Sequence, residues 1–262
     1  MDLNLNGKNA LVCGSSQGIG KAVAEELANL GANIVLFARN EYSLTQVKSG
    51  LDRSKGQEHK VLVADFADPK QVETVIQGHL KDNPPIHILV NNTGGPAPGP
   101  AHQAVEDAYL SAFKLHLITN QLLVQSLLPG MKSSSFGRII NIISTSVKQP
   151  IDGLGVSNTI RGAVANWAKT LANELGEYGI TVNNVLPGAT QTVRLQNILE
   201  SKAKKQGKAL AQLVEEEKAR IPLKCFGKAE DLGAAVSFLA SPAASYITGI
   251  NLPVDGGRTS CL

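Results

Sequence analysis

Near its start the chain reads Gly14-Ser15-Ser16-Gln17-Gly18-Ile19-Gly20, a glycine-rich turn between two segments of different periodicity. The turn follows an apolar run at residues 10–13, which is typical of a buried strand. It precedes a segment whose apolar residues recur at helical spacing, from Ile19 to Leu30. Glycines allow backbone N–H groups to approach a phosphate closely, and the positive end of the following helix favours its charge. The stretch therefore predicts a strand, a dinucleotide phosphate loop and a helix.

Six further β-branched runs follow this first strand. They lie at Asn33–Ala38, 61–64, 86–90, 138–143, 180–186 and 250–254, and the segments between them are mostly long enough for crossover helices. Strands that alternate with helices form a parallel sheet covered by helices on both faces. We therefore predict an α/β fold, a doubly wound, seven-stranded parallel sheet of the Rossmann type. At this length, residues 1–262 are expected to form a single domain.

Composition excludes several classes of partner. The 262 residues are 43% hydrophobic and 18% charged with a net charge of +3, which is too small to indicate nucleic acid or an anionic membrane. The three cysteines lack CxxC spacing and the five histidines lack metal-ligand spacing, so neither a disulfide framework nor a metal site is predicted. No basic leader and no long apolar span occurs, and a cytoplasmic location is expected.

One segment, at about 193–221, interrupts the alternation of strands and helices. Charged residues crowd it, namely Lys202, Lys204, Lys205, Lys208, Glu215, Glu216, Glu217, Lys218 and Arg220. Such a run is typical of a solvated helical face. Because it is inserted after a sheet strand, it could also serve as a lid.

Other motifs lie directly after the predicted strands. They are Asp65, Asn91-Asn92-Thr93-Gly94, Pro187-Gly188 with Thr192, and Val254-Asp255-Gly256-Gly257 near the end. Together with the glycine turn, they resemble the short-chain dehydrogenase/reductase family over about residues 5–257. Within that family the chain is most similar to the 3-oxoacyl carrier-protein reductases.

This resemblance implies a set of cofactor-binding residues. It assigns the pyrophosphate to Gly14, Ser16, Gly18, Ile19 and Gly20. It assigns the adenine amino group to Asp65, the adenosine side to Asn91 and Gly94, and the nicotinamide amide to Thr192, with Thr93, Pro187 and Gly188 completing the site. All of them follow the carboxyl end of a strand, where ligands bind in open α/β sheets.

The end of the second strand indicates which dinucleotide is preferred. An acidic residue there would bond the ribose 2′-hydroxyl of NAD and repel a 2′-phosphate. The sequence instead reads Phe37-Ala38-Arg39-Asn40, which offers a guanidinium and no acid. We therefore predict NADP, with NAD less favoured, and Arg39 as the partner of the 2′-phosphate. The alternative for Arg39 is a solvated surface arginine.

The residues expected to catalyse the reaction depart from the family pattern. Members of the family carry a Ser, a Tyr thirteen residues later and a Lys four beyond the Tyr, with an Asn on an earlier helix. Here Ser144 is followed at that spacing by Ser157 and Arg161, and alignment places His116 at the Asn position. None of the four tyrosines has a lysine four residues later. Only the serine of the four is retained.

These replacements put proton transfer in doubt. Ser157 and Arg161 lie one helical turn apart on the same face. A serine hydroxyl is a much weaker acid than tyrosine, and Arg161 stays protonated, so it can hold the nicotinamide ribose and stabilise negative charge but cannot relay protons. His116, with an ordinary pKa near 6.5, is a candidate proton donor. Its alternative is a helix histidine bonded to a neighbouring carbonyl.

Two functions of different classes follow. The first is an NADP(H)-dependent oxidoreductase that interconverts a ketone and a secondary alcohol, with the oxygen held by Ser144 and Ser157 and Arg161 stabilising the alkoxide. Its substrate would be a small carbonyl compound or alcohol, or a carrier-bound acyl thioester of fatty acid biosynthesis. The second is a nucleotide-binding protein without redox activity, a sensor or partner subunit; non-redox catalysis with the same oxyanion donors is a third possibility. The resemblance also implies a homo-oligomer, a tetramer.

Overall fold

The computed structural model describes residues 1–261. The strands of this part of the chain are β1 Asn9–Cys13, β2 Asn33–Ala38, β3 Lys60–Val63, β4 Ile88–Asn91, β5 Gly137–Ile142, β6 Ile180–Pro187 and β7 Asn251–Val254. They form one parallel sheet in the order β3-β2-β1-β4-β5-β6-β7. The predicted Rossmann fold is confirmed, and every predicted strand end lies within two residues of its observed position.

The helices cross between these strands. They are α1 Gly18–Asn29, α2 Glu41–Gly50, α3 Pro69–Asp82, α4 Glu106–Phe113, α5 Thr119–Ser133, α6 Gly155–Leu175, α7 Val193–Gln206, α8 Leu210–Ala219 and α9 Ala229–Ala240. A π-helical turn, Lys114–Ile118, joins α4 to α5 and carries His116. Side-chain oxygens cap several helices; Thr192, for example, accepts a hydrogen bond from the Leu195 N–H at the start of α7.

Apolar clusters cover both faces of the sheet. Val23 of α1 and Val236 of α9 belong to the cluster on one face. On the other, Leu123 of α5 and Leu171 of α6 pack with the apolar residues of the central strands. Because both faces are buried, the central strands are continuous apolar runs rather than alternating ones, as expected of a parallel sheet.

Four asparagines interrupt this apolar pattern on one face of the sheet. They are Asn91 on β4, Asn141 on β5, Asn184 on β6 and Asn251 on β7, and each is the register partner of the next. Each side-chain Nδ2 donates to the Oδ1 of the next asparagine, at 2.9, 2.9 and 2.8 Å. This asparagine row ties together strands β4, β5, β6 and β7.

Residues 1–261 contain neither a membrane-spanning helix nor a cluster of metal-ligating side chains. No helix in that range is long and apolar enough to cross a membrane. Nor do three His, Cys, Asp or Glu side chains come close enough to hold a metal ion.

Candidate active site

The glycine turn lies where the order of the strands reverses, between β1 and β4. Gly14 has φ +60°, and a Cβ on either Gly14 or Gly20 would collide with backbone oxygens of Asn92 or Gly14. The Asn92 side chain donates to the carbonyls of Cys13 and Gly14, both at 3.3 Å, and so fixes the turn against the end of β4. The sequence placed Asn92 within a motif but gave no hint of this supporting role.

The start of α1 fits a pyrophosphate. Gln17 at the N-cap makes no side-chain cap, and no acidic residue lies in the first turn. The first N–H groups of the helix therefore have no side-chain acceptor and carry the positive end of the helix dipole. A Cβ on Gly18 would lie 3.4 Å from Thr192 Cγ2, so the start of α7 closes on the same cleft from the opposite side.

Arg39 and Asp65 lie next to each other at the ends of β2 and β3. Arg39 Nη1 is 3.5 Å from Asp65 Oδ2, and 74% of the Arg39 side chain is exposed. The group predicted for a 2′-phosphate thus adjoins the group predicted for the adenine. The pair is open to solvent, and its guanidinium is accessible to an incoming anion.

A cavity of about 570 Å³ opens beyond the carboxyl ends of β4, β5 and β6. Eight of the predicted site residues line it, namely Ile19, Thr93, Ser144, Ser157, Arg161, Pro187, Gly188 and Thr192. Gly14, Ser16, Gly18 and Gly20 form the adjoining turn, and Gly94 is exposed just outside the cavity. Asn91 is buried in the asparagine row, so any contact it makes with a ligand would come from its backbone.

Two serine hydroxyls are available to a ligand in this cavity. Ser144 follows β5, and its Oγ accepts a hydrogen bond from the Ser146 N–H at 3.0 Å, which leaves its own O–H to donate. Ser157 lies in the first turn of α6, and its hydroxyl has no hydrogen-bond partner among the described residues. Both can donate to an oxygen atom in the cavity.

Arg161 supplies a buried positive charge one helical turn beyond Ser157. Its Nη1 donates to the Ile142 carbonyl at 3.1 Å, so the guanidinium is held at the end of β5, close to Ser144. Burial, together with the charge of Arg194, lowers its pKa to about 10. Arg161 is therefore still charged at neutral pH, as the sequence predicts.

His116 is placed differently from the predicted proton donor. It is 1% exposed and does not line the cavity; its Nδ1 lies 2.8 Å from the Thr93 hydroxyl, and its Nε2 is buried without a partner. Burial and the charges of Arg161 and Arg194 lower its pKa to about 2. The expectation that His116 titrates near pH 6.5 is wrong, because the π-helical turn packs the ring behind Thr93. The alternative interpretation, in which a neighbouring carbonyl bonds the ring, is not observed either, because the partner of Nδ1 is the Thr93 hydroxyl.

Arg194, in the first turn of α7, is a residue that the sequence did not single out. Its guanidinium donates to the Gly95 carbonyl at 3.0 Å and to the Pro96 carbonyl at 3.4 Å. The side chain thus spans from α7 to the loop after β4 and lines the cavity. The sequence signal for this residue was an arginine two positions after Thr192. Its contact with Gly95 was not predictable, because Gly95 lies 99 residues away in sequence.

The segment at 193–221 forms α7 and α8 beside the cavity. Two of its ion pairs, Lys208 with Glu216 and Lys218 with Glu215, lie at the surface. Glu217 departs from the predicted solvated face: its carboxylate is buried and has three cationic partners, Lys202, Arg220 and Arg258. This buried carboxylate links α7, α8 and the segment after β7.

Comparisons with known proteins agree with this geometry. The family described as enoyl-(acyl carrier protein) reductase matches residues 14–259. The chain is 33% identical to the 3-oxoacyl-[acyl-carrier-protein] reductase of Haemophilus influenzae, covering 97% of this chain and 98% of the relative. It is 31% identical to the NADPH-dependent reductase BacG of Bacillus subtilis, with 95% and 97% covered.

A solved structure has the same fold along the whole chain. The L-sorbose reductase of Gluconobacter frateurii, in complex with NADPH and L-sorbose, has a TM-score of 0.93 and 30% identity over 100% of both chains. The chain belongs to the short-chain dehydrogenase/reductase family. It is an oxidoreductase of that family, and the predicted membership and enzyme class are both confirmed. Two of these relatives, BacG and the L-sorbose reductase, use or bind NADPH, in agreement with the preference for NADP inferred from the end of β2.

Proposed function

We propose that the protein is an NADPH-dependent reductase that converts a ketone to a secondary alcohol. The observation that carries this proposal is the convergence of two free serine hydroxyls and one buried guanidinium on a single cavity. Thr192 and the glycine turn border the same cavity, so the groups suited to a dinucleotide and to a carbonyl oxygen adjoin each other.

The described residues fit NADP. The uncapped start of α1 and its glycine turn would hold the pyrophosphate, and Arg39 with Asp65 the adenosine and its 2′-phosphate. Thr93, Pro187, Gly188 and Thr192 would surround the nicotinamide. When bound there, NADPH supplies the hydride.

Ser144 and Ser157 would hold the carbonyl oxygen of the substrate. Both can donate an O–H bond toward it, while the Arg161 charge stabilises the negative charge that develops on that oxygen. Donors that are fixed in advance contribute about 3–4 kcal/mol each to such oxyanions in other enzymes. Because the Ile142 carbonyl holds Arg161 in place, this charge needs no rearrangement during the reaction.

The proton needs a different source from the one in the family pattern. No tyrosine lines the cavity, and the neutral His116 ring is separated from it by Thr93. We assign the proton to solvent: a water molecule that enters the cavity donates it to the alkoxide while Ser144 and Ser157 hold the oxygen, and the hydroxide left behind takes a proton from bulk solvent. Turnover should then lack the pH dependence of a protein acid that titrates near neutrality.

A single-turnover experiment tests the proposal. Excess protein is mixed with NADPH and a panel of ketones and 3-oxoacyl thioesters, and loss of reduced nicotinamide is followed between pH 5.5 and 8.5. Oxidation that depends on a substrate and is strongly slowed in Ser144→Ala supports the reductase. Binding of NADPH without oxidation by any member of the panel contradicts it.

The alternative left open by the sequence, nucleotide binding without redox activity, runs against the enzyme class of the relatives. It is motivated by Ser157 and Arg161, which stand where the family has its tyrosine and lysine. The same experiment separates the two functions. A cytoplasmic location, a tetramer, a carrier-bound substrate and a lid role for α7 and α8 all stay predictions.

A further inference from the structure

The cavity is lined by more positive than negative side chains. Its cations are Arg161, Arg194, Lys202, Lys205 and Arg258, whereas its acids are Asp152 and Glu217. The Glu217 carboxylate is already shared by Lys202, Arg220 and Arg258. An uncharged substrate would leave this positive potential without a partner, whereas an anion would be attracted to it.

Arg194 is the lining cation best placed to bind such an anion. None of the carboxylates described in the structure forms an ion pair with it. The Gly95 and Pro96 carbonyls orient its guanidinium but leave several of its five N–H donors free. These neutral acceptors therefore fix the position of the group while its charge stays uncompensated.

The charge of Arg194 acts close to the atoms proposed for catalysis. It lowers the pKa of both Arg161 and His116, so it lies within electrostatic reach of the Ser144, Ser157 and Arg161 group. An anion bound there would sit near the reacting carbonyl. That position suits a carboxylate a few bonds from the ketone better than a phosphate at the far end of a carrier arm.

The negative groups of NADP have other partners. The start of α1 suits the pyrophosphate and Arg39 suits the 2′-phosphate, and Arg39 does not line the cavity. Arg194 instead leaves α7 toward the loop after β4, on the side of the cavity that also contains Thr93. The cofactor therefore does not account for its charge.

We propose that the substrate is an oxo acid and that Arg194 binds its carboxylate, which makes Arg194 a residue that determines specificity. This inference rests on the proposed reductase function and narrows its substrate class. The guanidinium can hold a carboxylate with two parallel hydrogen bonds, which fixes the distance between carboxylate and ketone. An ester or a simple ketone lacks that contact.

Matched pairs of substrates test the inference. The kcat/KM is measured for 2-oxopentanoate, 4-oxopentanoate and 5-oxohexanoate and for their methyl esters, using wild type, Arg194→Met, Arg194→Lys and Lys204→Met. Lys204 is an exposed cation on the same helix that does not line the cavity. Wild type should prefer one acid over its ester. Arg194→Met should lower kcat/KM for that acid by about 10- to 100-fold and change the ester by less than about twofold.

The conservative variant Arg194→Lys and the control Lys204→Met complete the comparison. Arg194→Lys should retain part of the preference for the acid over its ester, because lysine keeps the charge but cannot form the two parallel hydrogen bonds of a guanidinium. Lys204→Met should behave as wild type. Equal losses for acid and ester in Arg194→Met, or a wild type that never prefers an acid, would overturn the assignment. So would a matching loss of NADPH affinity, because it would make Arg194 a cofactor ligand.

A binding measurement separates this inference from the reductase proposal. Glutarate, which has two carboxylates and no ketone, is titrated calorimetrically into the protein–NADP⁺ complex. Binding that is lost in Arg194→Met supports the carboxylate site even if no ketone is reduced, in which case only the reductase function fails. Reduction of neutral ketones without glutarate binding would support the reductase function and overturn the carboxylate site at Arg194.

Discussion

The two halves of the site use different parts of the chain. Around β1 and α1, the groups suited to the dinucleotide are mostly backbone N–H donors, shaped by glycines that pack against Asn92. Around β5 and α6, they are side chains: Ser144, Ser157 and Arg161. A backbone site restricts which residues can occupy it, whereas a side-chain site can change its chemistry without disturbing the fold. The family pattern is accordingly intact in the first half and altered in the second.

The largest effect should come from the side-chain half. Ser144→Ala removes a fixed donor to the developing oxyanion, and we expect kcat to fall by about 10²- to 10³-fold. Affinity for NADPH, measured by nicotinamide fluorescence, should change little. Ser133→Ala, at an exposed position of α5, is the control. If the two variants turn over equally fast, Ser144 does not hold the substrate oxygen.

The next effect tests the backbone half. A Cβ at position 20 would collide with the Gly14 carbonyl, so Gly20→Ala must distort the turn. We expect a cost of about 1–3 kcal/mol, which appears as weaker NADPH binding, lower stability or both. Gly78→Ala, in an open position of α3, should be neutral or slightly stabilising. Unchanged binding and stability in Gly20→Ala would contradict the tight turn.

His116 gives a prediction about pH. Its pKa is near 6.5 in the unfolded chain and about 2 in the folded protein, so below pH 6.5 only the unfolded state gains the proton. The native state therefore loses stability as pH falls, by about 1.4 kcal/mol per unit from this group alone. The difference in unfolding free energy between wild type and His116→Gln should shift by that amount, in favour of the variant, between pH 6 and 5.

Catalysis should not show the same dependence. Because the buried ring stays neutral across the working range, we expect the pH profile of turnover in His116→Asn to keep the shape of wild type. A shift in the pH profile of turnover on this substitution would instead support His116 as the proton donor. Chemical denaturation and single-turnover rates, measured on the same samples, separate the two effects.

The smallest effect is expected at the surface. Arg39→Gln should weaken NADPH binding by about 3- to 10-fold and leave NADH binding unchanged, because the exposed guanidinium beside Asp65 would reach the cofactor only at its 2′-phosphate. The measurement is the ratio of the two dissociation constants at low and high salt. A ratio that stays constant would assign NADP preference to other residues.

The sequence predicts the fold far better than it predicts the environment of individual side chains. Each strand is a short apolar run, and each run is visible locally. The burial of His116 is not, because its low pKa depends on Arg161 and Arg194, which are distant in sequence. Glu217 illustrates the same limit: it lies in a run of charges that looks solvated, yet packing buries it among three cations. Family spacing located Ser144, Ser157 and Arg161, but only the structure shows which atoms are free.

The asparagine row has a direction. Asn91, Asn141 and Asn184 each donate an Nδ2 hydrogen to the Oδ1 of the neighbour on the β7 side, so the dipoles of the four amides point the same way. The Asn91 Oδ1 is left at one end without a partner. Turning over one amide would set donor against donor on one side and acceptor against acceptor on the other. The row therefore has only two self-consistent arrangements, all forward or all reversed, and it changes between them as a unit.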